Sequence, residues 1–415
     1  MCGLLLVVAA ACSSDSKATS TGAGSSGAAS SSSDGSAILG PANKATGTPV
    51  KVGVFNVEGG QAISLPEIGD AAVAAAKYAN DHLGGLAGHP IEIDRCADKA
   101  DGASATACGN QFVQSNDAAV VATQPAQADQ AVPAIVGAKI PYVGAAPAAT
   151  SEITSDGTYF FSPGFVGVLA AMAKYDKDNG KPKHVMFGIE NPMLTAAVAA
   201  IGKPLFQAVG GDLELVTIPP GTADASSQVQ QGLSLNPDVV SVIADQTVCQ
   251  TYLSALQTAG YAKEKLVIAP CTGKTVIDAV GPALDNATLF DYGARVGDDN
   301  EAKLYAAVMK TYAPTVDATG SAIYGYIAML GFIRAVNAGG LTGDVTPASV
   351  TAAIKNAKNV PLPLGQTETF SCDKNSIANP LFKAVVCNAK IFVTKLQSGQ
   401  PTTYKVIDTG PLFAG

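Results

Sequence analysis

The stretch Asn80-Asp81-His82-Leu83-Gly84-Gly85-Leu86-Ala87-Gly88-His89-Pro90-Ile91-Glu92-Ile93 decides how this chain is read. Residues 67–83 form an Ala-rich run of helix length, and Gly84-Gly85 supplies the left-handed backbone on which helices commonly stop. Apolar alternation resumes at Ile91, so a helix hands over to a strand through a short turn. The glycines follow a helix rather than a strand and spell no G-x-G-x-x-G, which argues against a dinucleotide fingerprint.

Working outward, the same grammar repeats. Apolar runs at 50–56, 91–96, 118–123 and 140–145 are followed by a second set at 184–189, 213–218, 239–244 and 266–270. Helical patterns at 193–209, 226–235 and 248–259 separate the second set. Strands alternating with helices signal βαβ units, and two successive sets predict an α/β fold of two doubly wound lobes. A chain of 415 residues also exceeds the size at which one core keeps growing. Beyond them come a strand at 289–293, helices at 301–312, 321–337 and 347–357, and a β-rich tail at 367–372, 384–395 and 403–408. Helices followed by strands predict that the chain re-enters the first lobe and crosses back. The expected division is 50–168 with 292–365 for lobe 1, and 169–291 with 366–415 for lobe 2, joined by a multi-crossing hinge suited to closing on a ligand.

The N-terminus differs in kind. Residues 3–11 are an apolar run ending Ala9-Ala10-Ala11-Cys12, which as helix reaches only about 13 Å against a bilayer core of roughly 30 Å. It reads as the end of a secretory signal, either a lipoprotein signal (1–12) with Cys12 lipidated or a plain signal cut near Ala11. Ala9 stands where lipoprotein signals usually carry Leu, and no Lys or Arg precedes the run, so a start codon upstream is expected. Residues 13–49, rich in Ser, Gly, Ala and Thr, are expected to be a disordered tether spanning on the order of 35 Å. The expected location is outside the cytoplasm, on the outer face of the membrane, with the lipid anchor as the membrane contact. A net charge of -8 argues against nucleic acid as a partner, because such affinity comes from Lys and Arg displacing counterions.

Export makes cysteines pair. Setting aside Cys2 and Cys12, six remain, which permit 15 pairings. Neighbours in sequence make the natural couples: Cys96-Cys108, Cys249-Cys271 and Cys372-Cys387, each closing a short loop worth roughly 3 kcal/mol on a loop-entropy model. No Cys-x-x-Cys occurs and the only histidines are His82, His89 and His184, so neither a metal site nor a cofactor is expected.

The order of these elements resembles the type I periplasmic binding proteins, in particular the leucine/isoleucine/valine-binding family that serves branched-chain amino acid ABC transporters. The resemblance covers most of 50–408. It is carried by Val52-Gly53-Val54, Gly84-Gly85-Leu86-Ala87-Gly88, the cysteine pair after the second strand, Gln124-Pro125, Ile140-Pro141-Tyr142-Val143 with its Ala-rich loop, and Ala259-Gly260 before 266–270. It implies a solute-binding protein of an ABC importer, with permease subunits as partners and a small polar metabolite, an amino acid or amide-like, held in a cleft at the carboxyl ends of strands. The matching lobe 1 loops contain Gln124, Gln127, Ala145, Ala148 and Thr150; those of lobe 2 contain Glu190, Asn191, Asp245, Gln246 and Thr272. Residues 56–61 should form part of the entrance. Where the family places its ammonium-binding glutamate this chain has Cys271, and Asp245 replaces a commonly aromatic position and supplies a negative charge nearby.

Local roles compete with each assignment. Asp245 either contacts ligand or caps the helix that follows it. Glu190 and Asn191 either reach ligand or form the turn before Pro192, and Gln127 is either a ligand donor or a solvated amide. Two other functions were weighed. A sensor domain feeding a membrane receptor would share the fold, and neighbouring genes would separate it from transport. An α/β hydrolase needs a nucleophile and a base, yet no G-x-S-x-G elbow exists and the histidines lack a supporting motif, so no catalytic residue is assigned. Asp298-Asp299 precedes a helix, whose positive end it favours.

Overall fold

The computed structural model describes residues 34–61, 63–378 and 382–413. Cys12 and the first part of the expected tether lie outside the described residues.

The strands are β1 (Val50–Asn56), β2 (Ile91–Ala97), β3 (Val120–Gln124), β4 (Tyr142–Gly144), β5 (Thr158–Phe160), β6 (Lys183–Ile189), β7 (Asp212–Ile218), β8 (Val239–Ile243), β9 (Glu264–Ile268), β10 (Thr288–Asp291), β11 (Val360–Pro361), β12 (Thr369–Phe370), β13 (Val385–Val386), β14 (Lys390–Gln397), β15 (Gln400–Pro401) and β16 (Lys405–Asp408). They form one large sheet per lobe, and β11 and β12 pair antiparallel as a separate two-stranded ribbon. Lobe 1 has the order β13-β5-β4-β3-β1-β2, every neighbouring pair parallel. Lobe 2 has the order β15-β14-β10-β9-β8-β6-β7, with β16 also on β14; β6 to β10 pair in parallel, and β14 runs antiparallel to β10. Central strands such as β3 and β8 are almost wholly buried because helices cover both faces of a parallel sheet.

The helices are α1 (Asp34–Leu39), α2 (Pro66–Tyr78), α3 (Gly102–Ser115), α4 (Ala128–Gly137), α5 (Thr150–Thr154), α6 (Gly164–Asp178), α7 (Pro192–Ala197), α8 (Lys203–Ala208), α9 (Ser226–Leu233), α10 (Gln246–Thr258), α11 (Lys274–Val280), α12 (Asn300–Tyr312), α13 (Ala322–Ala338) and α14 (Pro347–Asn356). A π-turn at Ala79–Leu83 extends α2, and Gly84 ends it at φ 74°. The run expected at 67–83 thus stops at the glycine that its composition indicated. Helices α2 and α13 pack so closely that a Cβ on Gly325 would lie 1.8 Å from the Ile68 carbonyl oxygen. That approach explains a helix, α13, that is apolar on nearly all sides and buried in the middle of lobe 1. None of the helices among the described residues is long and apolar enough to cross a membrane.

Three features differ from the sequence expectation. The tether expected at 13–49 is ordered before its end: Leu39 is buried, Asn43 N–H donates to the Asp81 carbonyl (2.9 Å), and Gly84 N–H donates to the Asn43 carbonyl (2.7 Å). Leu39 supplies the apolar anchor that the polar composition around it hides. The first boundary, expected at 168/169, falls before Gly164, because α6 packs on β10, β14 and α8 of lobe 2. The last boundary, expected at 365/366, falls after Val386. The run at 384–395 divides into β13, which joins β5 of lobe 1, and β14, which joins β10 of lobe 2. Asn388 causes the break: buried, it donates from Nδ2 to the Phe161 carbonyl (3.2 Å) and accepts Lys390 N–H at Oδ1 (3.1 Å). The chain therefore crosses between lobes three times, near 161–163, 292–299 and 387–389.

Cys96-Cys108, Cys249-Cys271 and Cys372-Cys387 are all bonded, with Cα separations of 5.5, 5.1 and 4.5 Å. The third fixes the tail of lobe 1 just before the last crossing.

Candidate interlobe ligand site

Between the lobes lies a cavity of about 350 Å³, lined by Ile63, Ser64, Leu65, Glu67, Asp245, Gln246, Thr247, Thr275, Asp317 and Ser321. The volume falls within the range of small-molecule sites, roughly 300–1,000 Å³. The position follows from topology, since loops at the carboxyl ends of strands in open α/β sheets face this gap.

Lobe 1 builds its wall by folding the β1–α2 loop back on itself. Asn56, at the buried end of β1, donates from Nδ2 to the Leu65 carbonyl (2.7 Å) and to Glu58 Oε1 (3.0 Å). Leu65 N–H donates to the Val57 carbonyl (2.9 Å) and Gly59 N–H to Ser64 Oγ (2.9 Å). The result delivers Ile63 to Leu65 and the first turn of α2, with Glu67, to the gap. Behind it Arg95 is paired with Glu58 (2.8 Å) and Asp70 (2.6 Å). Burial pushes the Glu67 carboxyl above the usual range, and Asp317, Asp70 and Glu58 push the same way.

Lobe 2 supplies the turn after β8 and the loop after β9. Asp245 caps α10, its Oδ1 accepting Val248 N–H at 2.9 Å, while the side chain also lines the cavity. The cap and the cavity position are thus both features of this residue. The Cys249-Cys271 bond ties the first turn of α10 to the β9–α11 loop, so the two segments carrying Gln246 and Thr275 are held together.

The α12–α13 loop of lobe 1 closes the third side. Asp317 Oδ1 accepts from Thr319 N–H (2.9 Å) and Oγ1 (2.5 Å), and Oδ2 accepts Lys274 N–H of lobe 2 (2.8 Å). Burial would raise the Asp317 carboxyl, but these hydrogen bonds and the nearby Arg295 hold it below its ordinary value. A Cβ on Gly320 would stand 3.1 Å from Gly273 Cα, so the lobes touch backbone to backbone here. Arg295, buried at the second crossing, pairs with Asp291 (3.4 Å), donates to the Thr272 hydroxyl, and reaches the Gly320 carbonyl (3.4 Å).

Of the residues indicated by sequence, Asp245 and Gln246 line this cavity; the others do not. Thr272 is buried beneath it, its hydroxyl donating to the Ala269 carbonyl (2.8 Å). Asn191 caps α7 through Met193 and Leu194 N–H, and Glu190 is exposed beside it. Gln124 ends β3, and its carbonyl accepts Val57 N–H (3.2 Å). Gln127 opens α4, and its N–H donates to Asp98 Oδ2 (2.8 Å). Ala145 is buried, Thr150 begins α5, and Ala148 N–H donates to Glu152 Oε2 (2.7 Å). Sequence reading stopped the entrance at residue 61, just short of Ile63 to Glu67. Asp317 and Ser321 sit between two helices, where no local pattern marks them.

One constellation looks catalytic and is not placed to act. His184 Nδ1 lies 2.6 Å from Asp176 Oδ2, and Nε2 lies 2.7 Å from Ser241 Oγ. All three residues are at most 2% exposed, and none lines the cavity, so this chain of hydrogen bonds pins α6 to β6 and β8 from inside lobe 2. Burial pushes the Asp176 carboxyl up, and the bond to His184 opposes it. Among the described residues no group of three or more His, Cys, Asp or Glu is placed to hold a metal.

A family model described as periplasmic binding protein matches residues 49–388. Among solved structures, the chain is similar to a leucine binding protein LivK from Thermotoga maritima: 16% identity, 86% of this chain and 99% of that one, TM-score 0.70. It is similar also to a fatty acid ABC transporter substrate-binding protein from Thermomonospora curvata: 14% identity, 88% and 93%, TM-score 0.71. A third is the branched-chain amino acid transporter substrate binding protein LivJ from Streptococcus pneumoniae, in complex with isoleucine: 15% identity, 87% and 99%, TM-score 0.67. Likeness at these identities shows the fold. No curated protein matches the sequence.

Proposed function

We propose, from the premise that this chain belongs to the periplasmic binding protein family, that it is the solute-binding lipoprotein of an ABC importer, capturing a small polar metabolite of amino-acid or amide-like kind between its lobes. Membership in that family implies a location outside the cytoplasm, and three disulfides suit an oxidising compartment. The observation that carries the proposal is the cavity itself, whose walls come from both lobes and whose lining offers carboxylates, hydroxyls, one amide and two aliphatic side chains. Such groups orient a ligand, and the role proposed for them is binding. Cys12 carries the lipid anchor, and the ligand-bound form docks on the permease.

Two measurements test this. A thermal-shift screen of amino acids, amides, amines, organic acids and sugars should find compounds that raise the melting temperature, because ligand that binds only the native state stabilises it. A screen in which nothing shifts, repeated by calorimetry with the same outcome, overturns the solute-binding reading. Cys12→Ala should move the protein from the membrane to the soluble fraction; retention on the membrane overturns the anchor.

A further inference from the structure

We infer that the interlobe cavity selects a small organic cation bearing hydrogen-bonding ammonium or guanidinium groups, rather than an anion or a zwitterion gripped by its carboxylate. The inference rests on the reading of this cavity as the ligand site and puts a cation in place of the amino-acid or amide-like ligand that the family resemblance implies.

Three carboxylates reach the cavity from three separate segments: Glu67 from the start of α2, Asp245 from the turn after β8, and Asp317 from the α12–α13 loop. Among the described residues neither Lys nor Arg lines it. The cations nearby already have partners: Arg95 with Glu58 and Asp70, Arg295 with Asp291, and Lys274 Nζ with Asp278. The hydrogen bonds on Asp245 and Asp317 come from neutral backbone and hydroxyl donors, which leave their charge in place. A cation entering the gap would also favour the charged form of Glu67, which burial and then the carboxylates of Asp317, Asp70 and Glu58 disfavour.

Outside the cavity lining, two lobe 1 loops at the carboxyl ends of β3 and β4 also keep their backbone donors occupied. The N–H groups of Ala126 and Gln127 both donate to Asp98 Oδ2 (2.5 and 2.8 Å). Those of Ala148 and Ala149 both donate to Glu152 Oε2 (2.7 and 2.9 Å). Asp98 and Glu152 are 0% and 2% exposed, so a ligand carboxylate would have to evict a buried internal one. Three carboxylates on one cavity are complemented by a donor-rich cation. Ile63 and Leu65 give its methylene groups an apolar wall. Among the described residues no aromatic ring lines the cavity, so their side chains build no cage of the kind that suits quaternary ammonium.

The test uses the full mature chain in calorimetry at low salt, with putrescine and agmatine as probes and choline, leucine and succinate as comparators. Putrescine or agmatine should bind most tightly. Asp245→Asn, which keeps a residue that caps as well as Asp, and Glu67→Gln should each weaken that binding about tenfold by removing one charge contact. Binding of leucine or succinate without either amine overturns the cation inference and leaves the solute-binding reading intact. Amine binding unchanged in both variants places the cation elsewhere and also overturns it. Choline bound as tightly as putrescine removes the hydrogen-bonding requirement. Failure of every compound, in this set and in the wider screen, overturns the solute-binding reading itself.

Discussion

His184→Ala is the perturbation that best separates a buried hydrogen-bond chain from a catalytic one. Its loss strands Asp176 Oδ2 and Ser241 Oγ, both inside lobe 2, and removes the edge-to-face contact with Phe206 at 5.0 Å. A buried hydroxyl left without its partner costs about 1–3 kcal/mol, and a buried carboxylate that loses its hydrogen bond costs more. The two overlap, because Asp176, already raised by burial, takes up a proton instead of remaining charged and alone. We expect a net loss of about 4 kcal/mol, which for a lobe of this size lowers its melting temperature by about 10 °C. Ser241→Ala should cost about 1–2 kcal/mol, since it strands only one ring nitrogen. Differential scanning calorimetry measures both, and p-nitrophenyl ester hydrolysis should be the same for wild type and variants. A loss below about 1 kcal/mol for His184→Ala would refute the reasoning, as would covalent labelling of Ser241 in the native protein by a fluorophosphonate.

Three further outcomes follow from buried groups elsewhere. Asp117 is fully buried, its carboxyl oxygens have no hydrogen-bond partner among the described residues, and burial with Asp94 nearby raises its pKa to about 7 against the pull of Lys51. The folded chain holds that proton where the unfolded chain has lost it, so this stability is present below about pH 4 and is lost as pH rises through 7. Asp117→Asn should accordingly flatten the pH dependence, gaining on the order of 2 kcal/mol on wild type at pH 8 and little at pH 4 in urea melts. Gly325→Ala should cost about 2–3 kcal/mol in urea unfolding, because its methyl group has only the Ile68 carbonyl to enter. Cys249→Ser with Cys271→Ser should lose about 3 kcal/mol and weaken ligand binding, since the bond joins two segments of the lobe 2 wall; unchanged affinity would show those segments to be held without it.

What could be read in advance follows the range of the interactions. The helix-to-strand turn at Gly84, the two sheets and the three disulfides depend on patterns a few to some twenty residues long, and composition exposes these. Helices α3, α4, α6 and α11 went unmarked, because Ala, Gly and Thr dilute their apolar stripes. Only two of the ten residues lining the cavity were legible, for a related reason. Asp245 and Gln246 follow a strand and can be found by counting from it, whereas Asp317 and Ser321 reach the gap only because α12 and α13 return to lobe 1 after the second crossing. The last crossing was misplaced by some twenty residues, since apolar sequence at 384–395 does not reveal that it serves two sheets in turn. The Ser241, His184 and Asp176 chain was invisible, as its members lie on three elements and only a fold brings them together.

The residues bordering the cavity also join the lobes, and this ties occupancy to closure. Asp317 of lobe 1 accepts a lobe 2 amide, Gly320 meets Gly273, and Arg295 holds Thr272 of lobe 2 and Gly320 of lobe 1 from its place on the second crossing. A buried pair such as Asp291 with Arg295 adds little net stability over an apolar substitute, so its value here lies in fixing where the chain crosses. A ligand can shift an open-to-closed equilibrium only by as much as its affinity for the two forms differs. Glu67 and Asp245 stand on opposite lobes, so a molecule touching both makes its full set of contacts only when the lobes approach. On the reading proposed, the carboxylates that would meet the ligand and the contacts that join the lobes are therefore parts of one surface.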